Sequence, residues 1–175
     1  EVHRAINGVK LAIEALGARE GKQIAMGHTA SSANRMAYTF KEPIGVVAAI
    51  SAFNHPLNLA IHQVIPAIAV GCSVIIKPAT QTPMSAIRLV EILEEAGLPK
   101  GWAQAVVCDR EGGELLATSA KVNALTFIGS GKVGWYLNSK VAPGTRVALE
   151  HGGVAPVIVE ADANIDELIP SIGKG

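Results

Sequence analysis

No block of lysine and arginine occurs in this chain, and its 15 basic side chains are balanced by 15 acidic ones. A formal charge of zero leaves no electrostatic footprint for DNA or RNA. No apolar run is long enough to cross a bilayer. The opening stretch EVHRAINGVKLAIEAL spreads its charges along an amphipathic helix and lacks the compact apolar block of a secretion signal. Cysteine is scarce: Cys72 and Cys108 are the whole complement, and both sit in apolar runs. A disulfide framework is therefore disfavoured, a reducing compartment is favoured, and the expectation is a cytoplasmic protein. Neither thiol has a local base or motif that marks a nucleophile, so both read as small core residues. Repeats and low-complexity tracts are also missing.

What the chain does have is length and apolar content. Its 175 residues, 49% of them hydrophobic, suffice for one domain with a substantial core. Residues 19–43, REGKQIAMGHTASSANRMAYTFKEP, are the most linker-like part, polar and without a helical stripe. Within them MAYTFKE (36–42) reads as an extended arm. The texture changes after Pro43, which divides the chain into a helix and arm over residues 1–42 and a main body over residues 43–175.

In the main body, short apolar runs alternate with amphipathic ones. IGVVAAIS (44–51), CSVIIKP (72–78), AQAVVCD (103–109), VNALTFIG (122–129) and RVALE (146–150) have strand length. Between them lie helical patterns at 56–71, 83–97, 110–120 and 131–141, the first two opened by proline and closed by glycine. Apolar strands alternating with amphipathic helices predict an open parallel five-stranded α/β sheet with helices on both faces. In such sheets the ligand sits beyond the carboxyl ends of the strands. That rule selects residues 51–55, 77–80, 109–113, 129–134 and 150–153, where the polar and glycine residues concentrate.

Each of these segments carries a chemical reading and a plainer alternative. FIGSGKVG places Gly129, Gly131 and Gly134 in G-x-G-x-x-G spacing at a strand-to-helix turn, which suits a phosphate or merely close helix packing. Lys77 can reach a ribose or phosphate, or can snorkel at the surface. Asn54 offers an amide donor for developing negative charge, or caps the following helix. His55 and His62 are seven residues apart, about 10 Å along a helix, too far to share one zinc, and a metal site is rejected. Glu150 is the least expected residue. In RVALEHGGVAPVIVEAD it stands between apolar runs at 147–149 and 157–159, where an unpaired buried charge is costly.

Taken together, EPIGVVAAISAFNHPLN, AIAVGCSVIIKPATQTP, EEAGLPKGWAQAV, LTFIGSGKVG and LEHGG resemble the aldehyde dehydrogenase superfamily, over essentially the whole chain and in family order. The resemblance implies a Rossmann-like fold and NAD or NADP as cofactor. It makes Glu150 the general base that activates the deacylating water, partly buried at the sheet mouth, rather than a salt-bridged strand end. Asn54 becomes the oxyanion donor. Lys77 and Thr80 fall around the adenosine ribose, and Gly113 beside the adenine. Gly129, Ser130, Val133 and Gly134 lie beneath the pyrophosphate. Ser51, Ala52 and Phe53 line the path of the nicotinamide half, with His151 and Gly152 flanking its ring. His55 stands where the family often has an aromatic tunnel residue, which implies a short polar or anionic aldehyde. The fit is best to the branch that includes phosphonoacetaldehyde and lactaldehyde dehydrogenases.

The resemblance also implies something missing. The family's nucleophilic cysteine lies roughly 34 residues after the glutamate, which runs past Gly175. The chain is therefore expected to be the cofactor-binding part of a longer enzyme, inactive alone and forming homo-oligomers through the arm when complete. Thr80 replaces a glutamate common in the family, so a 2′-phosphate is not repelled. The alternatives are a stand-alone nucleotide-binding domain, and an acyl-phosphate-forming or CoA-acylating relative.

Overall fold

The structure is a computed structural model and describes residues 1–153 and 156–173. A long helix α1 (Val2–Leu16) opens the chain, followed by two short strands, β1 (Gln23–Ile24) and β2 (Ala37–Tyr38), paired antiparallel. The main body then runs β3 (Val46–Ile50), α2 (Pro56–Ala69), β4 (Ser73–Lys77), α3 (Met84–Glu95) and β5 (Ala103–Ala105). It continues through α4 (Arg110–Thr118), β6 (Ala124–Gly129), α5 (Gly131–Asn138), β7 (Arg146–His151) and α6 (Ile165–Ile172). Strands β3 to β7 form one five-stranded sheet in the order β5-β4-β3-β6-β7, with every neighbouring pair parallel.

That order has a direct consequence. The chain winds outward from β3 to β5, returns across the sheet in α4, and winds the other way through β6 and β7. The reversal leaves a crevice between the carboxyl ends of β3 and β6, where the connections diverge. Helices α2 and α3 cover one face with a core built on Ala60, Ile61, Val64, Ala86 and Leu89. Helices α4 and α5 cover the other through Ala117, Leu125, Phe127 and Leu137. Ala48 and Ala49 at the sheet centre are fully buried, one on each side, because both helical layers press closely there. At the amino ends, Asn123 ties strands together: its Oδ1 accepts from Val46 N–H at 2.9 Å and its carbonyl accepts from Arg146 N–H at 3.0 Å.

Several sequence expectations are corrected here. The third strand ends at Ala105 instead of running to residue 109, because β5 is a sheet edge and Val106 and Val107 lie exposed as the chain departs for α4. The apolar run at 157–159, outside the five predicted strands, lies at the surface with Ile158 83% exposed. Within the arm Ala37–Tyr38 pairs with Gln23–Ile24, and Thr29 and Ser32 hydroxyls hold a turn between the two strands at 2.7 Å. Helix α1 lies against α2 with Ala5 inside the main core. Helix α6 was not expected, although Asn164 accepting from Asp166 N–H and Glu167 three residues after it form a recognisable N-terminal signal. Cys72 is buried as expected, whereas Cys108 is only half-buried.

Candidate functional site

The carboxyl rim carries a cavity of about 210 Å³, below the roughly 300–1,000 Å³ of a complete small-molecule pocket. A hollow of this size encloses only part of a dinucleotide. Ile50, Phe127 and Leu137 supply apolar walls, and Lys77 and Thr80 reach in from the end of β4. Arg110, Gly113 and Glu114 of α4 and Val133 and Tyr136 of α5 complete it. Lys77, Thr80, Gly113 and Val133, which the family resemblance assigns to the adenosine and pyrophosphate, all line this cavity.

The neighbouring glycines Gly112 and Gly113 have different reasons to be glycine. A Cβ on Gly112 would stand 2.8 Å from Cys108 Cβ, which forces a shift. A Cβ on Gly113 would meet Lys77 Cε at 3.5 Å, an ordinary contact, so Gly113 keeps the cavity floor open. Tyr136 Oη donates to Glu114 Oε1 at 2.7 Å, and this bond raises the tyrosine above its usual range by holding its proton.

The glycine turn supports both of its readings. A Cβ on Gly129 would strike the Phe127 ring at 2.7 Å, and on Gly131 and Gly134 it would crowd the His151 ring at 3.2 and 3.0 Å. Packing alone thus demands these glycines. Ser130, exposed, begins α5 with no side-chain cap, and the N–H groups of the first turn face the rim without intrahelical acceptors.

Strand alternation separates Glu150 from His151. The His151 ring turns onto α5, edge-on to Trp135 with centroids 5.6 Å apart. Its main chain, and that of Gly152, is what remains at the rim. Glu150 points to the opposite face and is exposed. The partial burial expected for it is not provided by the described residues. Nor is it salt-bridged among them, because the recorded ion pairs belong to Arg88.

Ile50, Phe127 and Leu149 stand abreast across β3, β6 and β7. The next row is Ser51, Ile128 and Glu150, which puts Ser51 and Glu150 about 10 Å apart at the usual strand spacing. Ser51 N–H donates to Lys77 O at 3.1 Å, while its buried Oγ has no partner among the described residues. Ala52 is half-buried; Phe53, Asn54 and His55 are exposed in the bend before α2. Asn54 does not cap that helix. His55 is the N-cap and makes no side-chain cap bond.

The model of the aldehyde dehydrogenase family matches residues 1–175. The chain belongs to the aldehyde dehydrogenase family. Family relatives include the 3-sulfolactaldehyde dehydrogenase of Priestia aryabhattai, 44% identical over 175 residues, covering 99% of this chain and 36% of that protein. The lactaldehyde dehydrogenase of Methanocaldococcus jannaschii is 36% identical over 180 residues, covering all of this chain and 37% of that one. Among solved structures, an NADP-dependent glyceraldehyde-3-phosphate dehydrogenase of Bacillus halodurans complexed with NADP superposes with a TM-score of 0.89. That match covers 99% of this chain and 37% of the other, at 33% identity. The chain spans little more than a third of the length of these aldehyde dehydrogenases.

The residues present fit a dinucleotide on structural grounds: a cavity with two cations, two hydroxyls and one carboxylate, an open helix turn, and an unsatisfied buried Ser51 Oγ lie along one rim. Four participants escaped sequence reasoning. Arg110 and Tyr136 entered only through the cavity, although the position of Arg110 after a strand end marked it for attention. Gln63, 4% exposed, donates from Nε2 to Ile50 O at 3.1 Å and Thr126 O at 3.0 Å, stapling β3 to β6 beside the crevice. Glu1 Oε1 accepts from Leu57 N–H at 2.8 Å and Asn58 N–H at 3.0 Å, capping α2 from across the chain. The Asn58 bond chiefly holds the Glu1 carboxyl below its ordinary range. No local pattern announces a cap 56 residues away.

Among the described residues no helix is long and apolar enough to cross a membrane, and no cluster of His, Cys, Asp and Glu has metal-binding form.

Proposed function

We propose that this chain is the dinucleotide-binding unit of an enzyme that oxidises an aldehyde to a carboxylic acid, with NAD or NADP accepting the hydride. Residues 43–175 form that unit, and residues 1–42 supply a helix and an arm beside it. The observation that carries this reading is that Asn54, Lys77, Ser130 and Glu150 stand at the carboxyl ends of four different strands of one parallel sheet.

Lys77, Thr80 and Gly113 hold the adenosine end, and the turn from Gly129 through Ser130 to Val133 and Gly134 takes the pyrophosphate on free N–H groups. The ligand then crosses the sheet edge past Ser51, Ala52, Phe53 and the main chain of His151 and Gly152, reaching the face where Glu150 stands. The bound nicotinamide supplies the hydride acceptor. The Asn54 amide donates to the carbonyl oxygen as a nucleophile adds and negative charge develops. Glu150 takes a proton from the water that cleaves the acyl group. The attacking thiol comes from outside these residues, because Cys72 is buried beside the amino end of β4 and Cys108 packs against Gly112.

His55 at the rim favours a short polar or anionic aldehyde, and the relatives named for 3-sulfolactaldehyde and lactaldehyde support that choice. Two free thiols support a cytoplasmic location, and Met36 and Phe40, about four-fifths exposed on the arm, support a homo-oligomer of the complete protein. The test is reduction of NAD or NADP by the intact protein supplied with 3-sulfolactaldehyde, lactaldehyde or hexanal. Turnover should be fastest with the polar pair and independent of CoA. No reduction with any aldehyde ends the proposal; a preference for hexanal removes the substrate class, and a requirement for CoA reassigns the reaction to the acylating relatives.

A further inference from the structure

We infer that Glu1 is a positioning residue for Asn54: by holding the first turn of α2 from across the chain, it sets where the Asn54 amide meets the developing oxyanion. This rests on the aldehyde-oxidising reading and deepens it. The segment that carries Asn54 has little of its own to fix it. Residues 52–54 make no main-chain hydrogen bond among the described residues, and Phe53, Asn54 and His55 are exposed. The bend is therefore placed by its two ends. On the strand side, Ser51 N–H donates to Lys77 O at 3.1 Å. On the helix side, the anchor is Glu1.

A helix start ordinarily takes its cap from its own N-cap side chain. Here the N-cap is His55, which makes no cap bond, and the next residue is Pro56, which has no N–H to satisfy. Leu59 N–H donates to His55 O at 2.9 Å, so the free donors of the first turn are those of Leu57 and Asn58. Both go to Glu1 Oε1, at 2.8 and 3.0 Å. Asn58 is 2% exposed, so water is a poor substitute for the carboxylate there. Helix α1 delivers that carboxylate as a splint along α2. Ala5 is buried in the shared core, and a Cβ on Gly8 would crowd Ile61 at 3.2 Å. At the far end, Arg19 Nη1 donates to Ala69 O at 3.5 Å. An anion at the start of α2 and a cation at its end both suit the helix dipole. Catalysis registers the placement steeply, because a donor must meet the oxygen where charge develops in the transition state.

Steady-state kinetics of the intact protein test this, with the fastest of the three aldehydes as substrate. Glu1→Ala is expected to lower kcat about fivefold while KM for the dinucleotide stays within about twofold. Glu1→Gln, which keeps an acceptor, should recover most of the loss. In an Asn54→Ala background, Glu1→Ala should cost less than about twofold, because the amide it positions is gone. A merely structural loss would lower both backgrounds alike. By native-state hydrogen exchange, the Leu57 and Asn58 amides should exchange at least about tenfold faster in Glu1→Ala. Wild-type kcat in Glu1→Ala, an equal loss in both backgrounds, or unchanged amide exchange overturns the inference and leaves the role of Asn54 standing. Wild-type turnover in Asn54→Ala alone removes the oxyanion assignment, and this inference with it.

Discussion

Of two hollows at opposite ends of the strands, the larger lies away from the carboxyl rim. At the amino ends of the strands, between α1, α2 and the end of the arm, a groove of about 980 Å³ is lined by Leu11, Leu16, Phe40, Ile44 and Pro66 together with Arg19, Lys41, Glu42, His62 and Arg146. At the carboxyl ends, the cavity of about 210 Å³ gathers Lys77, Thr80, Arg110 and Glu114. Charged side chains line both hollows, so charge does not separate them; the helix starts do. The topological reversal operates only at the carboxyl ends, where consecutive connections leave in opposite directions and expose helix starts. The groove has size without that convergence.

The sharpest way to break this comparison is to disable each side in turn. In the intact protein, Asn54→Ala is expected to lower kcat about 10²- to 10³-fold. Glu150→Gln should do the same at the deacylation step, leaving a burst of reduced cofactor. Leu11→Gln in the groove should leave kcat within about twofold, because a side chain already 63% exposed gives up little burial. Steady-state and burst kinetics read all three. Wild-type turnover in Asn54→Ala would remove the carboxyl-end assignment.

A second test weighs the staple beneath the rim. Gln63→Leu leaves the carbonyls of Ile50 and Thr126 without their amide donor, at a cost of about 1–3 kcal/mol in denaturant unfolding. Dinucleotide affinity should fall with it, since β3 and β6 flank the crevice. Unchanged stability would mean that water replaces the amide at no cost.

Gly112 and Gly113 sharpen the contrast within a single helix turn. Alanine gains about 1 kcal/mol of helix propensity at either position. Gly112→Ala forfeits that against Cys108 and should lose stability by about 1 kcal/mol net. Gly113→Ala should keep the gain while filling the cavity at the carboxyl rim, so that Tm rises and, on the proposed reading, dinucleotide affinity falls. The same sign of stability change in both variants would contradict the assignment.

The smallest effect is expected at Glu1, whose carboxylate caps α2. Its folded-state value is depressed, so its contribution is complete above the ordinary value of 4.5 and fades as pH falls below it. Solvent exposure limits the effect to less than about 1 kcal/mol. Glu1→Gln should lower Tm slightly at neutral pH and converge with wild type in acid. A gap that widens in acid would refute the cap.

Much of this was legible in the chain because it depends on short-range pattern. The five main strands and four intervening helices follow from apolar runs and from proline and glycine punctuation, and their alternation predicts the parallel sheet. Lys77 and Thr80 stand out because strand ends are readable, whereas Gly113 and Val133 came from the family resemblance. What stayed hidden depends on distance in sequence. The Glu1 cap and the Gln63 staple join elements that local pattern does not connect. The direction of His151 toward α5 depends on which face of β7 each residue takes. Even the meaning of the glycine turn changed, since Gly131 and Gly134 make room for an imidazole brought by β7.

Residue order by itself determined which segments become strands and helices and which residues stand at strand ends, because hydrophobic period and backbone preference act over a few residues. Only the tertiary structure decided that Arg110 and Lys77 share a cavity, that Glu150 and His151 face opposite sides, and that the larger hollow lies at the wrong end of the sheet. Those outcomes depend on strand order, and strand order is set by how two helical layers bury one sheet.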